Sequence, residues 1–103
     1  MPLPVVGYFK FEFAKNQAIV NPTQQQIYGF SKNVLTFAEV LDHIDHKCKT
    51  RFVEQSVGSA GKCEVVTTSP ILISNGNIVE ETYYFLRDKS AIYGHTKLID
   101  KAA

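Results

Sequence analysis

The sequence predicts an α+β domain, with a curved antiparallel sheet of six or seven strands packed on one main amphipathic helix at about residues 36–48. Three observations carry this. A cap signal at Thr36 opens a stretch with helical periodicity. Val5–Phe13 alternates with period two. Two turn signals, Asn75-Gly76 and Asp88-Lys89, fold the C-terminal half into hairpins.

The helix rests on its ends and its stripe. Thr36 followed by Glu39 has the capping-box spacing, with Leu35 and Val40 placed as a hydrophobic staple. Phe37, Leu41, Ile44 and Cys48 recur at spacings of four, three and four, which puts them on one face. His46, Lys47 and Lys49 fall in the last turn, where positive charge suits the dipole. On the same wheel His43 and His46 point away from the stripe and Cys48 points into it. These three therefore do not converge on one ion, and no metal site is expected. Weak Glu39–His43, Asp42–His46 and Asp45–Lys49 pairs account for the solvated face.

Before the helix, Val5, Gly7, Phe9, Phe11 and Phe13 share one side of a strand, with Val6, Tyr8, Lys10 and Glu12 on the other. Lys15-Asn16-Gln17 turns the chain back into a short strand, Ala18-Ile19-Val20. Asn21 as a cap with Pro22 after it favours a short helical turn over 22–28, closed by Gly29. A continued strand through Ile27–Phe30 is the alternative.

After Thr50 the pattern is β. Arg51–Val57 and Lys62–Thr68 are expected strands around Gly58-Ser59-Ala60-Gly61, a loop of hairpin length. Asn75-Gly76 predicts a two-residue type I′ turn pairing Ile73 with Ile78. In the last hairpin a two-residue loop sets Tyr84 opposite Tyr93, Thr82 opposite His95 and Glu80 opposite Lys97. One face of its first strand carries Ile78, Glu80, Thr82, Tyr84 and Leu86, and the other Val79, Glu81, Tyr83, Phe85 and Arg87. Both are mixed, so parity does not mark the core side.

The totals bound the function. The 103 residues make a single domain, 1–103, with 45% hydrophobic and 20% charged residues. A formal charge of +1, with both signs scattered, is not the basic stripe of a nucleic-acid-binding domain. No apolar run approaches a membrane span and no leader pattern opens the chain, so no membrane partner and a cytoplasmic location are expected. Cys48 and Cys63 are expected as free thiols, with a single bridge between them the alternative.

No catalytic template is present, and Gly58–Lys62 lacks the spacing and following helix of a phosphate loop. Pro2 as an N-terminal base of the tautomerase kind is disfavoured, because a second strand rather than a helix follows the first. The sequence therefore favours a small non-enzymatic binding or interaction protein without cofactor, inhibitor-like or adaptor-like. It is expected to be a homodimer that meets a protein partner or small apolar ligand through Tyr8, Tyr83, Tyr84 and Tyr93 on an aromatic sheet face or edge. The alternative is a small enzyme with a pocket between helix and sheet. In it His95 acts as general acid or base, with Tyr93 nearby and Glu80, Glu81 and Asp100 as the nearest carboxylates. A helix followed by four or more strands resembles the hot-dog arrangement, whose members include thioesterases and dehydratases working at dimer interfaces. That resemblance implies the same kind of pocket.

Overall fold

The computed structural model describes residues 5–102, so Pro2 lies outside the described residues. Strands β1 (Val6–Glu12) and β2 (Gln17–Val20) form the first hairpin, with Phe9 opposite Val20. Asn16 takes a positive φ of 47° in the turn. Helix α1 (Pro22–Tyr28) follows at once. Asn21 Oδ1 accepts from Gln24 N at 2.9 Å, which satisfies an orphan helix donor, and Gly29 closes the helix at φ 75°. The helical alternative over 22–28 is therefore the one the chain adopts.

Strand β3 (Val34–Leu35) adds to the edge of β2, and helix α2 (Phe37–Leu41) begins at the expected capping box. Glu39 N donates to Thr36 Oγ1 at 3.2 Å, and Thr36 N donates to Glu39 Oε1 at 2.9 Å. The single helix over 36–48 does not form. After Leu41 the backbone leaves helical bonding, because residues 43–45 bond to the segment at 72–74. Ser74 N donates to His43 O at 2.7 Å, Asp45 N donates to Leu72 O at 2.9 Å, and Ile44 bridges Ile73. These bonds satisfy the groups an interrupted helix would orphan. A short 3₁₀ turn, His46–Cys48, leads into helix α3 (Lys49–Gln55). Phe37, Leu41, Ile44 and Cys48 still pack on the core, presented by separate segments.

Helix α3 replaces the strand expected at Arg51–Val57. At helical spacing Phe52 and Ser56 share one side, and both are buried. The Gly58–Gly61 stretch is accordingly no hairpin loop. It carries a 3₁₀ turn at Val57–Ser59 and runs on to β4 (Val65–Thr67), shorter than the predicted 62–68. Strand β5 (Ile71–Leu72) pairs with β6 (Ile78–Phe85), with Leu72 opposite Ile78, one step from the predicted register. Asn75 Oδ1 accepts from Asn77 N, and Ile73 N donates to Asn77 O. A three-residue loop thus stands where a two-residue turn was expected. Strand β7 (Ala91–Asp100) pairs with β6 in the predicted register, Tyr84 with Tyr93, Thr82 with His95 and Glu80 with Lys97.

The sheet is open and antiparallel, in the order β3-β2-β1-β7-β6-β4 with β5 also beside β6. The helices cover one face. Among the described residues no long helix is wrapped by the sheet, so the hot-dog arrangement does not describe this fold. Val79, Glu81, Tyr83 and Ile92 point at the helices, while Tyr8, Tyr84, Tyr93 and His95 lie on the other face. Among the described residues no helix is long and apolar enough to cross a membrane. Cys48 is half-buried and Cys63 exposed, and both are free thiols.

Candidate ligand cavity

Between the helices and the inner sheet face lies a cavity of about 50 Å³. That is room for several water-sized bodies, since one water needs roughly 10–15 Å³ by this kind of measure. Its walls are rings in series. Phe11 meets Phe37 with centroids 5.6 Å apart, Phe37 meets Phe52 at 6.1 Å, Phe52 meets Tyr83 at 6.5 Å, and Tyr83 meets Phe9 at 5.8 Å. Alternation along β1 delivers Phe9 and Phe11, the start of α2 delivers Phe37, and α3 delivers Phe52.

The polar end is built on Glu81, which is 3% exposed. Tyr28 Oη and Thr96 Oγ1 donate to its Oε2, the latter at 2.9 Å, and Tyr83 Oη donates to its Oε1. All three donors are buried. The backbone of Glu81 is pinned from the sheet edge, where Thr68 N donates to Glu81 O at 2.8 Å and Glu81 N donates to Thr68 Oγ1 at 3.0 Å. Burial pushes the Glu81 carboxyl above its ordinary value, while the hydroxyls of Tyr28, Tyr83 and Thr96 pull the other way. Burial and then the Glu81 charge hold the Tyr28 and Tyr83 phenols well above 10.0. Two further polar side chains line the cavity. Ser56 donates its hydroxyl proton to Phe52 O at 2.6 Å. Gln24, also buried, has an Oε1 with no hydrogen-bond partner.

The sheet separates the residues singled out from the sequence. Tyr83 faces the cavity, whereas Tyr8, Tyr84 and Tyr93 are 58%, 44% and 43% exposed on the outer face. Of the four tyrosines expected at a sheet face or edge, three lie on the outer face and Tyr83 lines the cavity. His95 is outside as well, with its ring 6.2 Å from that of Tyr8 and 5.8 Å from that of Tyr84. His95 and Tyr93 therefore do not line the cavity between helices and sheet, where the enzyme alternative had placed them, because period two turns both residues to the other side. Thr96 takes the inward position instead. Lys10 Nζ sits 5.3 Å above the Tyr93 ring. Neither Glu80 nor Asp100 lines the cavity, and Glu81 points away from His95.

His43 is half-buried rather than solvated, its Nδ1 2.8 Å from Glu39 O and its ring edge-on to Phe30. His46 is exposed. Among the described residues, no group of three His, Cys, Asp or Glu side chains is placed to hold a metal ion. Sequence reasoning assigned none of Tyr28, Gln24 and Thr96 to a site, and named Glu81 only as a carboxylate near His95. The available signal was parity, since Glu81 is the one acid in the set Val79, Glu81, Tyr83 and Phe85.

The architecture is α+β with an open antiparallel sheet, consistent with a PAS/LOV-like fold. A solved structure of an RNA-binding Light-Oxygen-Voltage receptor matches with a TM-score of 0.77 and 17% sequence identity, over 93% of this chain and 28% of that one. The likeness is one of fold, and this chain spans under a third of the receptor's length. No family model and no curated protein matches the sequence.

Proposed function

We propose that the domain is a non-catalytic binding module that takes a small, mainly apolar molecule into the ring-walled cavity and presents the result to a protein partner. The observation that carries this reading is the carboxyl of Glu81 at the end of an otherwise apolar cavity. A core built for stability alone gains nothing from a buried acid, whereas a binding site uses a few polar groups to orient its ligand. The fold is shared with part of a receptor, which agrees with a sensing role. RNA binding is a description of that whole receptor. Here Lys10 and Lys97 share the outer face with Glu12 and Glu80, which leaves no basic stripe for a phosphate backbone. The test is titration of isotope-labelled protein with xenon, a small apolar atom, followed by NMR. Shifts confined to Phe9, Phe52, Tyr83 and Ile92 are expected, and saturating xenon without shifts there overturns the reading.

The outer face supports a second role, as the contact between two copies of the chain. Tyr8, Tyr84, Tyr93 and Val65 expose apolar area on one open sheet surface, with Ile19 and Val34 continuing it toward the β3 edge. Sedimentation is expected to show a dimer, and Tyr84→Ser to weaken it by about tenfold, a loss of the size seen when one interface aromatic is truncated. A monomer at high micromolar concentration removes this role and leaves the cavity reading intact.

A further inference from the structure

The donors and acceptors around the cavity do not balance, and the imbalance points to the ligand's chemistry. Tyr28, Tyr83 and Thr96 have all committed their protons to Glu81, and Ser56 has committed its proton to Phe52 O. Acceptor capacity remains. A carboxylate offers about four lone-pair sites, and Glu81 uses three, with one Oε1 position open. Charge is unbalanced in the same sense. Among the described residues no Lys, Arg or His lines the cavity, so an ionised Glu81 has no counter-ion from them there. Around it stand the faces and edges of Phe9, Phe11, Phe37, Phe52 and Tyr83, which attract a cation through their ring quadrupoles.

We propose that the cavity's ligand is a small organic ammonium ion, a protonated alkylamine of a few carbon atoms, whose N–H groups donate to Glu81 and whose carbon body lies among the rings. This rests on the cavity being a binding site at all, and it adds the sign and hydrogen-bonding sense of the occupant. A bound ammonium supplies the missing counter-charge and donates where acceptors are idle. A carboxylate ligand would meet repulsion from Glu81. An ether or ketone would bring further acceptors to a site that lacks free hydroxyl donors. The cavity's size limits the body to a few carbon atoms before the walls must part.

The test compares n-butylammonium chloride, 1-butanol and xenon by NMR titration of the full chain, against sodium chloride at equal ionic strength. The ammonium is expected to bind at least about tenfold more tightly than the alcohol, since its hydrogen bonds are charge-assisted. Glu81→Gln keeps the side chain's shape and is expected to abolish that preference while xenon still binds. Equal affinity of the ammonium and the alcohol, or an unchanged preference in Glu81→Gln, overturns the ammonium assignment alone. If xenon also fails to perturb the cavity residues, the binding-module reading falls with it.

Discussion

Replacing Gly7 by alanine is expected to destabilise the domain by about 3 kcal/mol, the upper part of the usual range for overpacking a tight contact. Gly7 is on β1 directly under α1. A Cβ built there would lie 2.5 Å from Gln24 Cα and 2.7 Å from Gln24 N, both backbone atoms that no rotamer change can clear. The helix is not free to lift away. Tyr8 N donates to Asn21 Oδ1 at 3.0 Å and Asn21 N donates to Tyr8 O at 3.0 Å, so the helix N-terminus is bonded to the neighbouring residue of the strand. Relief would break those bonds and move Gln24, which lines the cavity. For a chain of this size the loss corresponds to a fall in Tm of roughly 12–24 °C, measured by circular dichroism. A second close approach gives a comparison, since Gly94→Ala would set a Cβ 2.5 Å from Thr82 O and against the Phe9 ring. A melting temperature within about 3 °C of the parent for Gly7→Ala would mean that helix and strand are not packed this tightly.

How much of this architecture the sequence discloses depends on how local each determinant is. The β6–β7 register is legible because alternation and a turn at Asp88-Lys89 leave one pairing that puts Tyr84 on Tyr93 and Glu80 on Lys97. Thr36 and Asn21 announce their helices for the same reason, each cap being a contact within three residues. The break after Leu41 is illegible from local pattern. Residues 37–48 have an unbroken helical stripe, and what ends the helix is pairing of residues 43–45 with a segment about thirty positions later. Helix α3 fails in the opposite direction. Arg51–Val57 has β-compatible residues but no turn signal strong enough to fix its period, and burial of Phe52 with Ser56 decides for helix. At Asn75-Gly76 only Gly76 takes a positive φ, because the Asn75 side chain bonds Asn77 N and Ile27 O, and the wider loop shifts the register by one.

The cavity was less legible than the fold for a related reason. Its polar end joins Tyr28, Glu81, Tyr83 and Thr96, which come from one helix and two strands, and Tyr28 and Glu81 are 53 positions apart. Parity could assign Glu81 and Tyr83 to one face and could not say which face is covered. The exposed tyrosines and His95 drew more notice because aromatic strand residues suggest contact surfaces, and three of those tyrosines do lie outside. His95 and Thr96 show the cost of an unresolved face, since a choice between adjacent residues decides whether the site is acid–base or acceptor chemistry.

Glu81→Leu is expected to destabilise the domain by about 2–4 kcal/mol while Glu81→Gln costs about 1 kcal/mol, because leucine leaves the hydroxyls of Tyr28, Tyr83 and Thr96 buried without their acceptor. The amide keeps an acceptor oxygen and the shape. The pH dependence separates the two explanations for a buried acid, charge and packing. In the unfolded chain Glu81 ionises near its ordinary 4.5, and in the native state burial raises that value. Between those two points the native protein holds a proton that the unfolded chain has released. Stability from this group is therefore complete below 4.5 and is lost as pH rises through the raised value. Tyr28 and Tyr83 act in the same sense higher up. The unfolded phenols ionise near 10.0, the native ones stay protonated well beyond it, and stability falls again as pH climbs past 10.0. Chemical denaturation across pH is thus expected to show two descending limbs in the parent. Glu81→Gln should lack the first and keep the second, and the second should coincide with a rise in tyrosinate absorbance as the chain unfolds. Parent and Glu81→Gln curves that run parallel from pH 4.5 upward would show that the carboxyl carries no proton-linked strain, and the counter-charge it is argued to need from a ligand would lose its physical ground.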